Sequence, residues 1–560
     1  MTLPLLALGF LALLAAGYHF YGKFVARRLG LDDTRVTPAH RHEDGVDFVP
    51  TRPFYLFAQH FSAIAAAGPI AGPILACQQF GWLPCLLWIG FGVVFIGAVH
   101  DFSSLVASLR HEGSSIAEIA RARLGTPAGR AFMAFIWIAL IYVIVAFADI
   151  TAGSFVSGTE ELEGAGVAFN AGGAVAAASV LYLGLALVMG VVQRLFAPPL
   201  WLVTLIFVPA TFALSWLGTE LSTWLVFDAR TWGLAILAYC LVASVTPVWA
   251  LLQPRGYLGG FVLYSAIAIG VIGVLFGGYE LEQPAVRSFD TGKAGGQMFP
   301  FLFVTIACGA CSGFHGLVCS GTTSKQVERE SHSHFVGYGA MLAEAFVALI
   351  ALVTVAICTD AQLAGKKPGA IYGAGIGDFM TLLVGPENRR LAITFGAMAF
   401  STFVFDTLDV ATRLGRYLIQ ELTGLKGPVG AFLGTFATLA PAALFLAYGG
   451  EGAYLRFWAL FGASNQLLAA LTLIAIAVWL RKERRSYMFV VIPFVFLLVV
   501  TLWALVAQVQ SSFAASQGWD VARANGIVAL VLVVLALYLV GVGFNRLRSS
   551  EDVPQGERTS

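Results

Sequence analysis

The chain has 560 residues, of which 58% are hydrophobic and 12% charged, with a mean hydropathy of +0.81. A soluble domain carries about 25% charged and about 45–50% apolar residues, so a water-soluble globular fold is excluded. The formal net charge of +1 gives no electrostatic footprint for nucleic acid, and seven cysteines, most inside apolar runs, argue against a disulfide framework.

Apolar runs of about 20 residues recur along the whole length, which predicts an all-α polytopic membrane protein with about 15 transmembrane helices. The first run (1–22) lacks a basic leader and a small-residue cleavage site, so it reads as a retained extra N-terminal helix. Residues 23–53 mix basic and acidic side chains and read as a cytoplasmic linker. The next span, 54–80, carries Gly68-Pro69 and Gly72-Pro73 in its middle. Proline lacks an amide hydrogen and its ring clashes with the carbonyl four residues back, so Pro69 frees the carbonyl of Ala65 and Pro73 that of Pro69. A helix broken at membrane depth is tolerated only where protein or water covers the loose backbone, which predicts a span lining a cavity. The run 231–252 holds a second interruption at Thr246-Pro247-Val248-Trp249, five helices further on. Two proline-broken spans of opposite direction at this interval match an inverted repeat of five-helix units, here 54–217 and 231–409. The stretch 369–385 reads as an external re-entrant or surface segment. Further transmembrane helices follow over 428–545, and a polar, disordered tail over 546–560. Lys and Arg concentrate in one alternating set of loops, which puts the N-terminus outside and the C-terminus in the cytoplasm.

Ionisable side chains within spans are costly and mark pathways. They include His60, His100, Asp101, Asp149, His315, Glu344, Asp406 and Asp409. His60, Asp101, His315, Glu344, Asp406 and Asp409 form the candidate proton-coupling set, although Asp409 and Arg413, four apart, also suit a structural pair. Cys308, Cys311, His315 and Cys319 share one helical face. Four ligands along one straight helix span about 16 Å and cannot wrap one ion, so no metal site is expected. Small residues dominate 307–323 and suit close helix packing, while Ser320, Thr322 and Thr323 offer hydroxyls to a cation or substrate. There is no Walker loop, G-x-S-x-G or H-E-x-x-H, so neither ATP-driven transport through this chain nor an enzyme is expected.

Several blocks together are specific: RPFYLFAQHFSAIAAAGPIAGPILA (52–76), FGWLPCLLWIGFGVVFIGAVHDF (80–102), PVWALLQPRGYL (247–258), CGACSGFHGLVCSGTTSKQ (308–326), GYGAMLAE (337–344), DTLDVATRLGRY (406–417) and FGASNQLLAA (461–470). With them the chain resembles the carbon starvation protein A family of bacterial inner-membrane proteins over nearly its whole length. Where that family has Gly-His-His, this chain has Ala58-Gln59-His60, which leaves His60 as the one imidazole there. The resemblance implies a secondary transporter of the cellular response to starvation, with a leucine-transporter-like core and no cofactor. Family members are linked to uptake of pyruvate or of peptides. In such a core the half-helix ends at Gly68, Pro69, Gly72 and Pro73, and those at Thr246 and Pro247, would meet a substrate carboxylate, with Trp249 as a gate. The expectation is proton-coupled import of a small carboxylate such as pyruvate across the cell inner membrane. The alternatives are a peptide importer and, from another class, a membrane nutrient sensor.

Overall fold

The computed structural model describes residues 2–45, 47–65, 67–156, 159–160, 169–292, 296–449 and 453–548. Nearly all of this is helix. Among the described residues twelve helices are long and apolar enough to cross a membrane, and the bent pair Pro53–Ile64 and Gly68–Phe80 makes a thirteenth. Ala229–Val245 is a shorter apolar helix, and Met298–Thr305 with Gly313–Gly321 makes an interrupted crossing. Every predicted span therefore has its helix. The first runs on to Leu29, so the linker begins only at Gly30, whose left-handed backbone ends that helix. The last runs to Arg548; the rest of the expected tail lies outside the described residues.

The two interrupted crossings organise the molecule. The first turns by 47° between Ile64 and Gly68. Pro69 sits in the first turn of the second half, where its missing amide hydrogen costs nothing. The second leaves helical geometry after Thr305 and resumes at Gly313, with Gly309 at φ +87°. They run antiparallel. Thr51, entering the first, pairs with Val327, leaving the second. Past the far end of the first, Leu83 N–H donates to Ala285 O (2.9 Å), and Arg287, before the second, donates to Phe80 O (2.9 Å). Each is followed by a long helix containing a π turn, at Val93–Gly97 and at His334–Gly339. This is an inverted, leucine-transporter-like pair of broken crossings.

The second break is not where proline spacing puts it. Thr246 has ψ 141°, the extended conformation imposed on a residue before proline. Residues 246–251 are the connection between Ala229–Val245 and Leu252–Phe276. Pro247 thus ends one helix instead of splitting one, and six membrane-crossing helices, with the short helix Ile116–Leu124, separate the two breaks among the described residues. The segment expected to be re-entrant is the helix Pro368–Val384. Gly369, Gly373 and Gly377 recur every fourth residue and face the helix Arg389–Thr423, while Gly375 faces Thr354. A Cβ on Gly373 or Gly377 would stand 2.6–2.9 Å from atoms of Ala397 and Ile393. Glycine content here signals close helix packing.

The C-terminal helices are not all peripheral. The helix Ala453–Lys482 is fully enclosed over its most apolar window and packs on both halves of the second broken crossing.

Candidate transport site

The two breaks touch. A Cβ on Gly72 would lie 2.7 Å from Thr305 O, and one on Gly68 would lie 2.5 Å from Cys308 Sγ. The first crossing's glycines are thus small so that the second can approach. The backbone groups freed at the second break are taken up by side chains. Trp458 and Trp88 donate through Nε1 to Thr305 O and Ile306 O (3.0 Å each), and Gln466 Nε2 donates to Phe303 O (2.8 Å). Asn465 Oδ1 accepts the Phe314 amide (2.9 Å), and Nδ2 donates to Ser312 Oγ (3.0 Å). An unpaired peptide group in an apolar interior is costly, and these four side chains remove that cost while leaving the segment non-helical.

A buried string of titratable groups ends on this break. Asp101 receives His100 Nδ1 at 2.8 Å on one oxygen and His315 Nδ1 at 2.9 Å on the other. The other nitrogen of His315 faces Glu344 Oε2 at 3.6 Å, and Glu344 Oε1 accepts the Gly309 amide at 3.2 Å. All four side chains are at most 1% exposed. With Asp101 accepting from both imidazoles, His315 Nε2 is left facing Glu344 Oε2, which has no hydrogen-bond partner among the described residues. His60 sits apart, bonded through Nδ1 to Thr323 Oγ1 (2.9 Å) with Cys319 Sγ at 3.8 Å.

The remaining expected residues are elsewhere. Asp406 and Asp409 are bound by Arg255, at 2.6 and 2.8 Å, and Tyr239 also donates to Asp409 (2.9 Å). Their place is a buried ion cluster joining Leu252–Phe276 to Arg389–Thr423, away from the string of Asp101, His315 and Glu344. Arg413, the sequence's expected partner for Asp409, donates to the carbonyls of Ala243 and Thr246 (2.6 Å each). There a cation suits the C-terminal end of a helix. Thr246, Pro247 and Trp249 lie in the connection after that helix, with Trp249 39% exposed under Arg194. They meet neither break, because the chain there joins two helices. Ser320 is engaged by Gly316 O and the Ile116 amide, and Thr322 is exposed; of the three hydroxyls, Thr323 meets the first crossing. Arg255 was missed because it follows a proline at a predicted loop. Asn465 and Gln466 were missed although an amide pair inside an apolar span is itself a signal.

Above the second break lies a cavity of about 640 Å³, floored by Leu75, Phe301, Thr305 and Trp458. It opens at the end of the molecule where residues 283–291 and 360–367 lie.

Among solved structures, a manganese transporter of Eremococcus coleocola aligns at TM-score 0.47 and 13% identity, over 90% of this chain and 98% of that one. MhsT in complex with L-phenylalanine aligns at TM-score 0.44 and 12% identity, over 89% and 98%. Curated relatives are much nearer in sequence. The Bacillus subtilis peptide transporter CstA is 33% identical over 95% of this chain and 94% of its own length. The Helicobacter pylori peptide transporter CstA is 34% identical over 88% and 80%. The Escherichia coli pyruvate/proton symporter BtsT is 31% identical over 87% and 79%. The family model for carbon starvation protein CstA matches residues 2–371 and 359–504. With broken crossings, a buried string of carboxylates and imidazoles and these relatives together, the chain is a multi-pass membrane transporter and belongs to the carbon starvation protein CstA family.

Proposed function

We propose that the chain imports a small carboxylate, pyruvate being the first to test, together with protons across the cell inner membrane, with its N-terminus outside and its C-terminus in the cytoplasm. No catalytic residue is assigned; the work is translocation. The observation that carries this reading is the Glu344 contact. One oxygen faces His315 Nε2 at 3.6 Å, and in this reading the two exchange a proton; the other accepts the amide of Gly309 inside the break. A hydrogen bond to an ionised acceptor is roughly twice as strong as a neutral one, so protonating Glu344 loosens its grip on the break. Proton binding and the geometry of the break are thereby one equilibrium. The carboxylate is taken between the half-helix ends around Gly68–Pro73 and Thr305–Gly313, where amides and the positive end of a helix dipole favour an anion. These surfaces are in contact in this structure, so they part to admit it. Thr323 and His60 link the same two crossings on the other side.

Uptake of labelled pyruvate into proteoliposomes, with and without an imposed pH gradient, tests this. Accumulation that needs an inward proton gradient and no sodium is expected; accumulation indifferent to the gradient overturns the coupling. A second reading, peptide import, is favoured by one observation: the cavity above the break carries both Arg287 and Asp290, a cationic and an anionic anchor, and has room for more than pyruvate. Competition of dipeptides with pyruvate separates the two.

A further inference from the structure

The outer cavity has a polar wall that the break does not explain. The wall comes from the C-terminal helices Met488–Ala515 and Val521–Arg548, which are otherwise the most apolar spans of the chain, each with a mean hydropathy of 2.9 over its best window. Gln508, Ser511 and Ser512 lie at i, i+3 and i+4, hence on one helical face, and all three line the cavity, whereas Gln510 is exposed. Asn525, 3% exposed, lines it from the first turns of the next helix. Tyr142 donates to Asn525 Oδ1 at 2.6 Å, which fixes the amide, and Asn525 Nδ2 has no hydrogen-bond partner among the described residues. A buried donor left unpaired costs about 1–3 kcal/mol, and polar groups buried in an apolar helix mark ligand pathways. The opposite wall carries Arg287, which Asp360 and Gln283 hold in place (2.6 Å each). Asp290 is the acidic lining residue, and its Oδ1 already accepts the Gly292 amide at 2.8 Å.

We infer that this cavity is a second, outer carboxylate-binding site, in which Asn525 Nδ2 and the hydroxyl of Ser512 hold a substrate carboxylate above the floor formed by Thr305 and Trp458, while the hydroxyl of Ser511 donates to Gln508 O (3.2 Å). The inference rests on the import reading for the identity of the ligand, not for the site's existence. The last two helices thereby build the place where cargo waits before the breaks part. Trp458, bonded to Thr305 O, is the partition between the two sites.

The test reads occupancy without turnover. Ala515, on the cavity wall and exposed, is replaced by cysteine in a Cys358→Ser background, since the other native cysteines are buried. The full chain in membranes is labelled from the outside with a membrane-impermeant maleimide, at constant ionic strength, with sodium pyruvate or dialanine as probes. At least one probe is expected to slow labelling threefold or more. Asn525→Asp, which keeps an acceptor for Tyr142 but turns a donor into a negative charge, should raise the protecting concentration tenfold or more, and Asn525→Leu somewhat less. If Leu fails to fold, Asp still decides. The inference is overturned if neither probe protects, or if Asn525→Asp leaves the protecting concentration unchanged. Protection without gradient-driven uptake removes the import reading and keeps this site; uptake without protection does the reverse.

Discussion

At the scale of the residue, one carboxylate and one guanidinium carry opposite duties. Glu344 has no fixed cation: its neighbours are an imidazole at 3.6 Å and a backbone amide. Glu344→Gln keeps the shape and a bond to Gly309 but removes the exchangeable proton. We expect gradient-driven net uptake to fall at least tenfold while substrate exchange at equal pH persists; loss of both would make Glu344 structural. Arg255 is the reverse case, fully buried and held by Asp406, Asp409 and Tyr239. Removing one partner of a buried ion pair leaves a bare charge and costs about 3–5 kcal/mol. Arg255→Met should therefore lower the thermal unfolding midpoint strongly. The triple change Arg255→Met, Asp406→Asn, Asp409→Asn should recover most of it, because an apolar or neutral replacement of the whole set is close to neutral. A triple variant no more stable than the single would show that the cluster is not an isolated ion network. The sequence marked Glu344, Asp101, His315 and both aspartates alike as acids and imidazoles inside spans, and set Asp409 apart only through Arg413, which is not its partner. What divides them is the partner each one finds across helices, and Arg255 lies about 150 residues from the acids it neutralises.

At the scale of the element, the governing contact is backbone on backbone at Gly72. A side chain there meets Thr305 O at 2.7 Å, whereas Gly260 has nothing within 4 Å of its Cβ position. Gly72→Val should leave a full-length, membrane-inserted chain whose transport falls at least tenfold, while Gly260→Ala stays within about twofold of the parent; equal behaviour would show that the contact does not govern transport. Helix positions were legible because a run of about 20 apolar residues has few alternatives in lipid. The first break was legible because Gly68-Pro69 announces it; Pro73, also expected to break the span, lies inside the continuous helix Gly68–Phe80. The second break was not. It rests on Gly309 in a left-handed conformation and on Trp88, Trp458, Asn465 and Gln466 reaching in from other helices. A local pattern finds proline, so it settles on Pro247, where the chain merely connects two helices. The stretch 307–323 did stand out for its small residues, and close packing is indeed what they serve. The long-range polar contacts that hold it open have no signature at fixed spacing.

At the scale of the whole molecule, the two ends differ. The cavity lies at one end, while at the other the linker after Gly30 is strapped across the mouths of both broken crossings. Arg110 holds Glu330 (2.9 Å) and Gly30 O (2.8 Å), and Asp32 N–H donates to Glu330 Oε2 (2.9 Å). Asp33 takes the amide and hydroxyl of Ser331 at 2.8 and 2.7 Å. Partial burial pushes the Asp33 carboxyl up, but these two hydrogen bonds, with His332 and Arg329, outweigh it and hold it below the ordinary range. A carboxyl depressed by folding lends its stability above the unfolded value, about 3.9, and loses it only as pH falls through the lower folded value. The Asp33 tether is therefore intact from pH 5 to 8, the range in which uptake is to be assayed. Hydrogen exchange of residues 30–37 should be slow and, after correction for the intrinsic rate, independent of pH across that interval. Arg110→Ala should speed it about tenfold by leaving Glu330 without its cation. A pH response of uptake between 5 and 8 in a chain whose linker exchange does not change then belongs to the intramembrane string. If linker exchange rises with falling pH in step with uptake, the strap is itself the proton-sensitive element, and Glu344 loses its claim to that role.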